Sequence, residues 1–162
     1  MNHVRDNQGA SDGAGKRFAV VASRFNGQLV DLLVDGAVGC FAERGVADGD
    51  VAVVRVPGAF EIPLALAELA AGGGWDGLVA LGVVIRGETP HFDYLCAEAS
   101  RGISRVSHQH RLPVGFGLLT TDTMEQAAER CGGKAGNKGA EAAQAAFEMS
   151  RLLAALRGAD GG

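Results

Sequence analysis

Four short apolar runs, Phe18–Ala22, Val51–Val56, Leu78–Ile85 and Val114–Leu119, set the strongest limit on what this chain can fold into. Each is continuous rather than alternating. A strand that is apolar at every position has no face to give to water, so it belongs in a parallel sheet covered on both sides. Between the runs the apolar residues change to a helical period. Leu29, Leu32, Leu33, Cys40 and Phe41 keep one face from Gln28 to Arg44, and Ile62, Leu66 and Leu69 mark a second segment. Phe92, Leu95, Ala99, Ile103 and Val106 mark a long third. A short helix near Met124–Arg130 precedes a terminal one, Lys138–Leu156, striped by Ala143, Phe147 and Leu153. Strand and helix alternate, which predicts an α/β fold: an open four-stranded parallel sheet between two helical layers.

A length of 162 residues suits one domain, and no repeat or long linker divides it. The expected organisation is a flexible N-terminal segment over 1–15, one domain over 16–157 and a flexible tail over 158–162. Acidic and basic residues are interspersed and the formal charge is -4, which gives nucleic acid no basic field to bind. The longest apolar run is far too short to cross a bilayer, and the polar start Met1–Gly15 lacks the apolar core of a signal peptide. Cys40, Cys96 and Cys131 are odd in number and far apart. They read as three reduced thiols, two of them on apolar helix faces, in a cytoplasmic protein, and no set of ligands suggests a metal.

In an open parallel sheet, ligands bind beyond the carboxyl ends of the strands. Four loops therefore matter: Ser23–Gly27, Pro57–Glu61, Arg86–His91 and Thr120–Thr123. In the third, Thr89 followed by Pro90 reads as a helix start, with Thr89 as N-cap and Pro90 at the first helical position. Gly87 allows close backbone approach, so free N–H groups of this turn suit a phosphate. His91 then falls beside that anion site, and imidazoles change charge near neutral pH, as a proton carrier must. The bland alternative is a capped helix with an incidental histidine. Phe25 and Phe60 stand where an aromatic can stack on a planar heterocycle, although either alone is more often a core residue. Glu61 suits a ligand N–H, or equally the positive end of a helix.

Arg130 and Lys138 flank the Gly-rich run Cys131–Gly139 and are candidate phosphate ligands, the former as a planar fork and the latter as a point charge. The competing reading is a glycine C-cap with Asn137 capping the last helix, and both can hold at once. His3, His108 and His110 read as incidental.

Five segments taken together resemble the lumazine synthase family: RFN (Arg24–Asn26), VPGAFEIP (Val56–Pro63), LGVVIRGETPHFDY (Leu81–Tyr94), FGLLTTDTMEQAAER (Phe116–Arg130) and KAGNKG (Lys134–Gly139). Any one is weak; five in order across Phe18 to Leu156 are specific. The resemblance implies a flavodoxin-like sandwich assembled into pentamers. It also implies condensation of 5-amino-6-(D-ribitylamino)uracil with 3,4-dihydroxy-2-butanone 4-phosphate to 6,7-dimethyl-8-ribityllumazine, phosphate and water, with no metal or organic cofactor. By the same resemblance, Phe25 stacks on the pyrimidine, and Ala59, Phe60 and Glu61 with Val83, Val84 and Ile85 line the pyrimidine and ribityl pocket. Glu88 and Thr89 hold the phosphate, and His91 is the proton-transfer residue. Phe116, Arg130 and Lys138 come from the adjacent subunit.

The short turn Cys131–Gly139 resembles the version in members that close into a shell of sixty subunits, whereas members with extra residues there stop at pentamers or decamers. Riboflavin synthase is the one protein partner the family suggests. Two rivals remain. A flavin- or nucleotide-binding module on the same fold is disfavoured by Arg24–Gly27, which is not a hydroxyl-rich phosphate loop, and a phospho-acceptor domain by Ile85-Arg86, where an Asp is required. A catalytically weak flavin- or lumazine-binding or shell-forming paralogue has no need of His91, Glu61, Arg130 and Lys138.

Overall fold

The computed structural model describes residues 1, 3, 4 and 13–158. Most of the two end segments expected to be flexible lies outside the described residues. The strands are β1 (Phe18–Ser23), β2 (Val51–Val56), β3 (Gly77–Ile85) and β4 (Val114–Thr121), all parallel, in the order β2-β1-β3-β4. The main helices are α1 (Gly27–Glu43), α2 (Ile62–Gly72), α3 (His91–His110), the short α4 (Met124–Glu129) and α5 (Lys138–Leu156). The result is the flavodoxin-like three-layer sandwich that the alternation of apolar runs and helical stripes demands.

β1 makes the layering explicit. Phe18, Val20 and Ala22 point into one core with α1 and α5; Ala19 and Val21 point into the other with α2 and α3. All five are fully buried, because successive side chains of a central strand alternate between two covered faces. In the first core, Phe18 stacks on Phe41 at 4.4 Å and lies 5.9 Å from Phe147, pairs worth about 0.5–1.5 kcal/mol each beyond their area burial. Gly13 donates its N–H to the carbonyl of Arg44 at 2.7 Å, tying the chain ahead of β1 to the end of α1.

The uniform double burial expected of all four strands holds for β1 and for β3 as far as Val83, whereas Val84 and Ile85 at the carboxyl end of β3 are half-buried. β2 and β4 are edges, so Val53 and Arg55 on β2 and Phe116 and Thr120 on β4 are exposed. The expected cap at Thr89 also shifts. The residue preceding α3 is Pro90, no side chain caps it, and its carbonyl accepts from the N–H groups of Asp93 (3.0 Å) and Tyr94 (3.4 Å). A proline has no N–H to lose, so it serves as well just outside the helix as inside it.

The Gly-rich run after α4 is not a helix C-cap. Cys131–Gly133 (β5) and Gly136–Asn137 (β6) pair as a small antiparallel ribbon, with Gly132 and Gly136 at positive φ. Asn137 does cap α5: its Oδ1 accepts from Gly139 and Ala140 at 2.8 and 3.0 Å. Its Nδ2 donates to the Leu32 carbonyl of α1 at 3.0 Å, so one side chain caps one helix and fastens it to another.

Candidate active site

The strand order reverses between β1 and β3, and a ligand crevice belongs at such a switch point. The loop after β1 stays in register with β2: the N–H groups of Arg24 and Phe25 donate to the carbonyls of Val56 (2.7 Å) and Pro57 (3.2 Å). Asn26 then takes a left-handed conformation, φ 56°, which turns the chain sharply into α1. From there its Nδ2 donates to the Val83 carbonyl of β3 at 2.8 Å and spans the switch point. Phe25, displaced outward by that turn, is 71% exposed.

After β2 the chain makes a single 3-10 turn, Ala59–Glu61, entered through an extended Gly58. A Cβ on Gly58 would stand 3.4 Å from a carboxylate oxygen of Glu61, so that side chain folds back over the glycine. Ala59 is buried, whereas Phe60 is 65% exposed. The two phenylalanines are therefore not core residues, the more frequent fate of such rings; both face the crevice.

The loop from β3 to α3 is held at its base by the Arg86 N–H donating to the Thr121 carbonyl at 2.8 Å. The Arg86 side chain spreads over three neighbours. Its Nε donates to Asp122 Oδ1 at 2.8 Å, its Nη1 lies 3.4 Å from Asp93 Oδ1, and its guanidinium carbon sits 4.5 Å from the centre of the Phe92 ring. The hydrogen bond it donates to Asp122 does most to hold the guanidinium in its charged form more firmly than usual; desolvation opposes it, and the charges of Asp93 and Asp122 add smaller contributions in its favour.

These loops enclose a cleft of about 840 Å³, within the range of small-molecule sites. Phe25, Ala59, Phe60 and Glu61 form one side, Val83, Val84 and Ile85 the floor, and Thr89 and His91 the other side. Nine residues picked from four separated stretches of sequence thus meet around one space. Tyr94, Leu95 and Glu98 extend the His91 wall; none is a site candidate from sequence, where Leu95 reads only as part of the helical stripe, yet they follow His91 at helical spacing and share its face of α3.

Four sequence candidates stand elsewhere. Glu88 is exposed on the loop but is not part of the cleft wall. Phe116, opposite Ala80 on β4, is five residues short of the Thr121–Ile85 pair at the mouth, roughly 16 Å down the strand. Arg130 lines a smaller polar cleft of about 310 Å³ with Arg86, Phe92, Asp122 and Gln126. There its Nη1 donates to the Gln126 carbonyl at 2.8 Å. Lys138 pairs with Glu141 at 3.0 Å at the start of α5. Among the described residues no group of three or more His, Cys, Asp or Glu is arranged to hold a metal, and no helix is long and apolar enough to cross a membrane.

The profile described as 6,7-dimethyl-8-ribityllumazine synthase matches residues 15–154. The chain belongs to that family. It is 54% identical over 156 residues to the 6,7-dimethyl-8-ribityllumazine synthase of Desulfovibrio desulfuricans, covering 96% of this chain and all of the relative. Against the Nitratidesulfovibrio vulgaris (strain Miyazaki F) protein of that name the identity is 51% over the same shares. It is also 51% against the Aquifex aeolicus one, covering 93% of this chain and 97% of the relative. As a member of the lumazine synthase family the chain is similar to these enzymes over essentially its whole folded length, and each cleft loop lies inside the matched region.

Proposed function

We propose that this chain condenses 5-amino-6-(D-ribitylamino)uracil with 3,4-dihydroxy-2-butanone 4-phosphate, giving 6,7-dimethyl-8-ribityllumazine, phosphate and water in the riboflavin pathway. The observation that carries the reading is the convergence of Phe25, Phe60, Glu61, Thr89 and His91 on one cleft at the switch point. The apolar floor and exposed rings suit a flat heterocycle, with Phe25 stacking on it. Glu61 accepts from the pyrimidine or ribityl donors. The backbone at Glu88 and Thr89, beside the positive end of the twenty-residue α3, suits the phosphate.

The chemistry asks for proton movement more than for a powerful nucleophile. The uracil amine attacks the ketone and forms an imine with loss of water. Phosphate is eliminated to leave an enol that becomes a carbonyl, and the ribitylamino nitrogen adds to that carbonyl and closes the second ring with loss of a second water. His91 takes and returns protons in these steps from beside the departing phosphate. Both substrates are intrinsically reactive, so holding them together supplies much of the acceleration.

Phe116, Arg130 and Lys138 serve the cleft of an adjacent copy, Phe116 covering the ring and Arg130 reaching the phosphate. Phe116 stands roughly 16 Å down the strand from the mouth, and neither Arg130 nor Lys138 lines the cleft of its own protomer, which supports this assignment. The working form is then a homo-oligomer of pentamers, with a shell of sixty subunits as the preferred assembly and riboflavin synthase as a candidate guest. The reading takes the protein as cytoplasmic, where its three free thiols stay reduced.

Incubating the purified protein with both substrates tests the activity. Lumazine fluorescence appearing together with released phosphate supports it; binding of lumazine or flavin without turnover replaces it with the weak-paralogue reading. Light scattering tests the assembly, since shell and pentamer differ about twelvefold in mass.

A further inference from the structure

We propose that Arg86 is a positioning residue for the phosphate side of the cleft, acting through Asp93, Phe92 and Asp122 rather than by touching substrate. The inference rests on the proposed function. Arg86 begins the loop that carries Glu88 and Thr89, and its side chain closes that loop into a ring. The guanidinium grips Asp122 beyond β4 and Asp93 in the first turn of α3, with the Phe92 ring beneath it. Phe92 and Asp93 are the two residues that follow His91. Fixing them fixes the start of α3, and with it both the imidazole and the backbone N–H groups offered to an anion.

Charge gives the arrangement a second purpose. Asp93 lies in the first turn of α3, two residues beyond His91, and Asp122 lines the smaller cleft with Arg130, so two unpaired carboxylates there would repel the phosphate that the proposed function brings to this side. Arg86 neutralises one charge of the pair and is itself engaged, which leaves direct contact with the phosphate to other groups. The same network reaches Arg130. The N–H groups of Asp122 and Thr123 donate to Gln126 Oε1 at 2.9 and 3.3 Å, and the Gln126 carbonyl accepts from Arg130. One chain of polar contacts therefore orders the helix start of one cleft and the arginine assigned to the next.

A purely structural staple makes a different forecast. The three side chains are 46%, 62% and 66% exposed, and exposed ion pairs contribute little to folding stability. Arg86→Gln in the full-length assembled protein is expected to leave Tm within about 3 °C of wild type. It is expected to raise KM for the butanone phosphate about tenfold, with KM for the pyrimidine within about twofold. Arg86→Lys, which keeps the charge and loses the fork, falls between. Adding Asp122→Asn to Arg86→Gln removes one repelling carboxylate and recovers part of the loss. Equal rises in both KM values, no rise in either, or a rise that tracks lost Tm overturns the proposal.

Titration with inorganic phosphate keeps this test separate from that of the activity. Wild type should bind it, and Arg86→Gln should bind it about tenfold more weakly even if turnover is never observed. Equal affinities, or no binding by wild type, overturn the role of Arg86.

Discussion

Asn26 reaches across the reversal point of the sheet and donates its side-chain amide to the Val83 carbonyl at 2.8 Å. The bond joins the loop that presents Phe25 to the strand that floors the cleft, and it is made from a left-handed backbone that few residues other than glycine accept. Replacing Asn26 by Asp removes the donor and sets an oxygen against an oxygen. The expected loss is about 1–3 kcal/mol in denaturant unfolding, with a raised KM for the pyrimidine. Asn26→Gly keeps the backbone conformation and should fall between; an Asp variant with unchanged stability and KM would remove Asn26 from its role.

His91→Ala should slow turnover about a hundredfold at saturating substrate without abolishing it, because positioning of two reactive substrates survives. Steady-state kinetics decide. An undiminished rate removes His91 from proton transfer.

Arg130→Ala should raise KM for the butanone phosphate about tenfold or more and leave kcat comparatively unaffected, the signature of a lost binding contact. An unchanged KM contradicts the contact.

Gly139→Ala addresses the packing of α5 on α1. A Cβ there would be driven into the backbone carbonyl of Leu33, which has no rotamer to relieve the clash, close to where Asn137 fastens the two helices. Thermal or denaturant unfolding should show a loss of about 1–3 kcal/mol. Unchanged stability would mean the helices separate freely.

Burial pushes the Cys131 and Cys96 thiols up, with Asp93 adding to the shift at Cys96 and Arg86 opposing it. A raised thiol favours the neutral form in the folded state. Its contribution to stability is therefore complete below the ordinary thiol range and is lost as pH rises through the elevated one. Alkylation by iodoacetamide at pH 8, followed by mass spectrometry, should label both slowly in native protein and quickly after unfolding. Rapid native labelling of Cys131 would contradict its burial.

The fold was legible because its signal is repetitive. Continuous apolar strands and striped helices repeat along the chain, and β2 and α5 match their sequence boundaries to the residue. The cleft loops followed from one topological rule applied to those strands. What escaped was set by three-dimensional neighbours. Thr89 followed by Pro90 has a cap signature, yet α3 begins one residue later because a proline tolerates either position. The ribbon Cys131–Asn137 was hidden by glycines, which fit a C-cap and a tight hairpin equally well. The tie from Asn26 to Val83 and the grip of Arg86 on Asp93 and Asp122 join residues whose pairing no local pattern announces. Edge exposure at Val53 and Phe116 likewise depends on strand order, which the apolar runs do not encode.

Mixing two weakened variants tests most directly whether neighbouring copies share one site. His91→Ala and Arg130→Ala subunits, dissociated, combined in equal amounts and reassembled, are assayed at butanone phosphate well below KM. If His91 and Arg130 of different copies complete each cleft, about a quarter of the sites in a random mixture carry both native residues, and activity rises well above either parent. If both residues serve the cleft of their own chain, no mixed site is intact, and the mixture gives only the average of its parents.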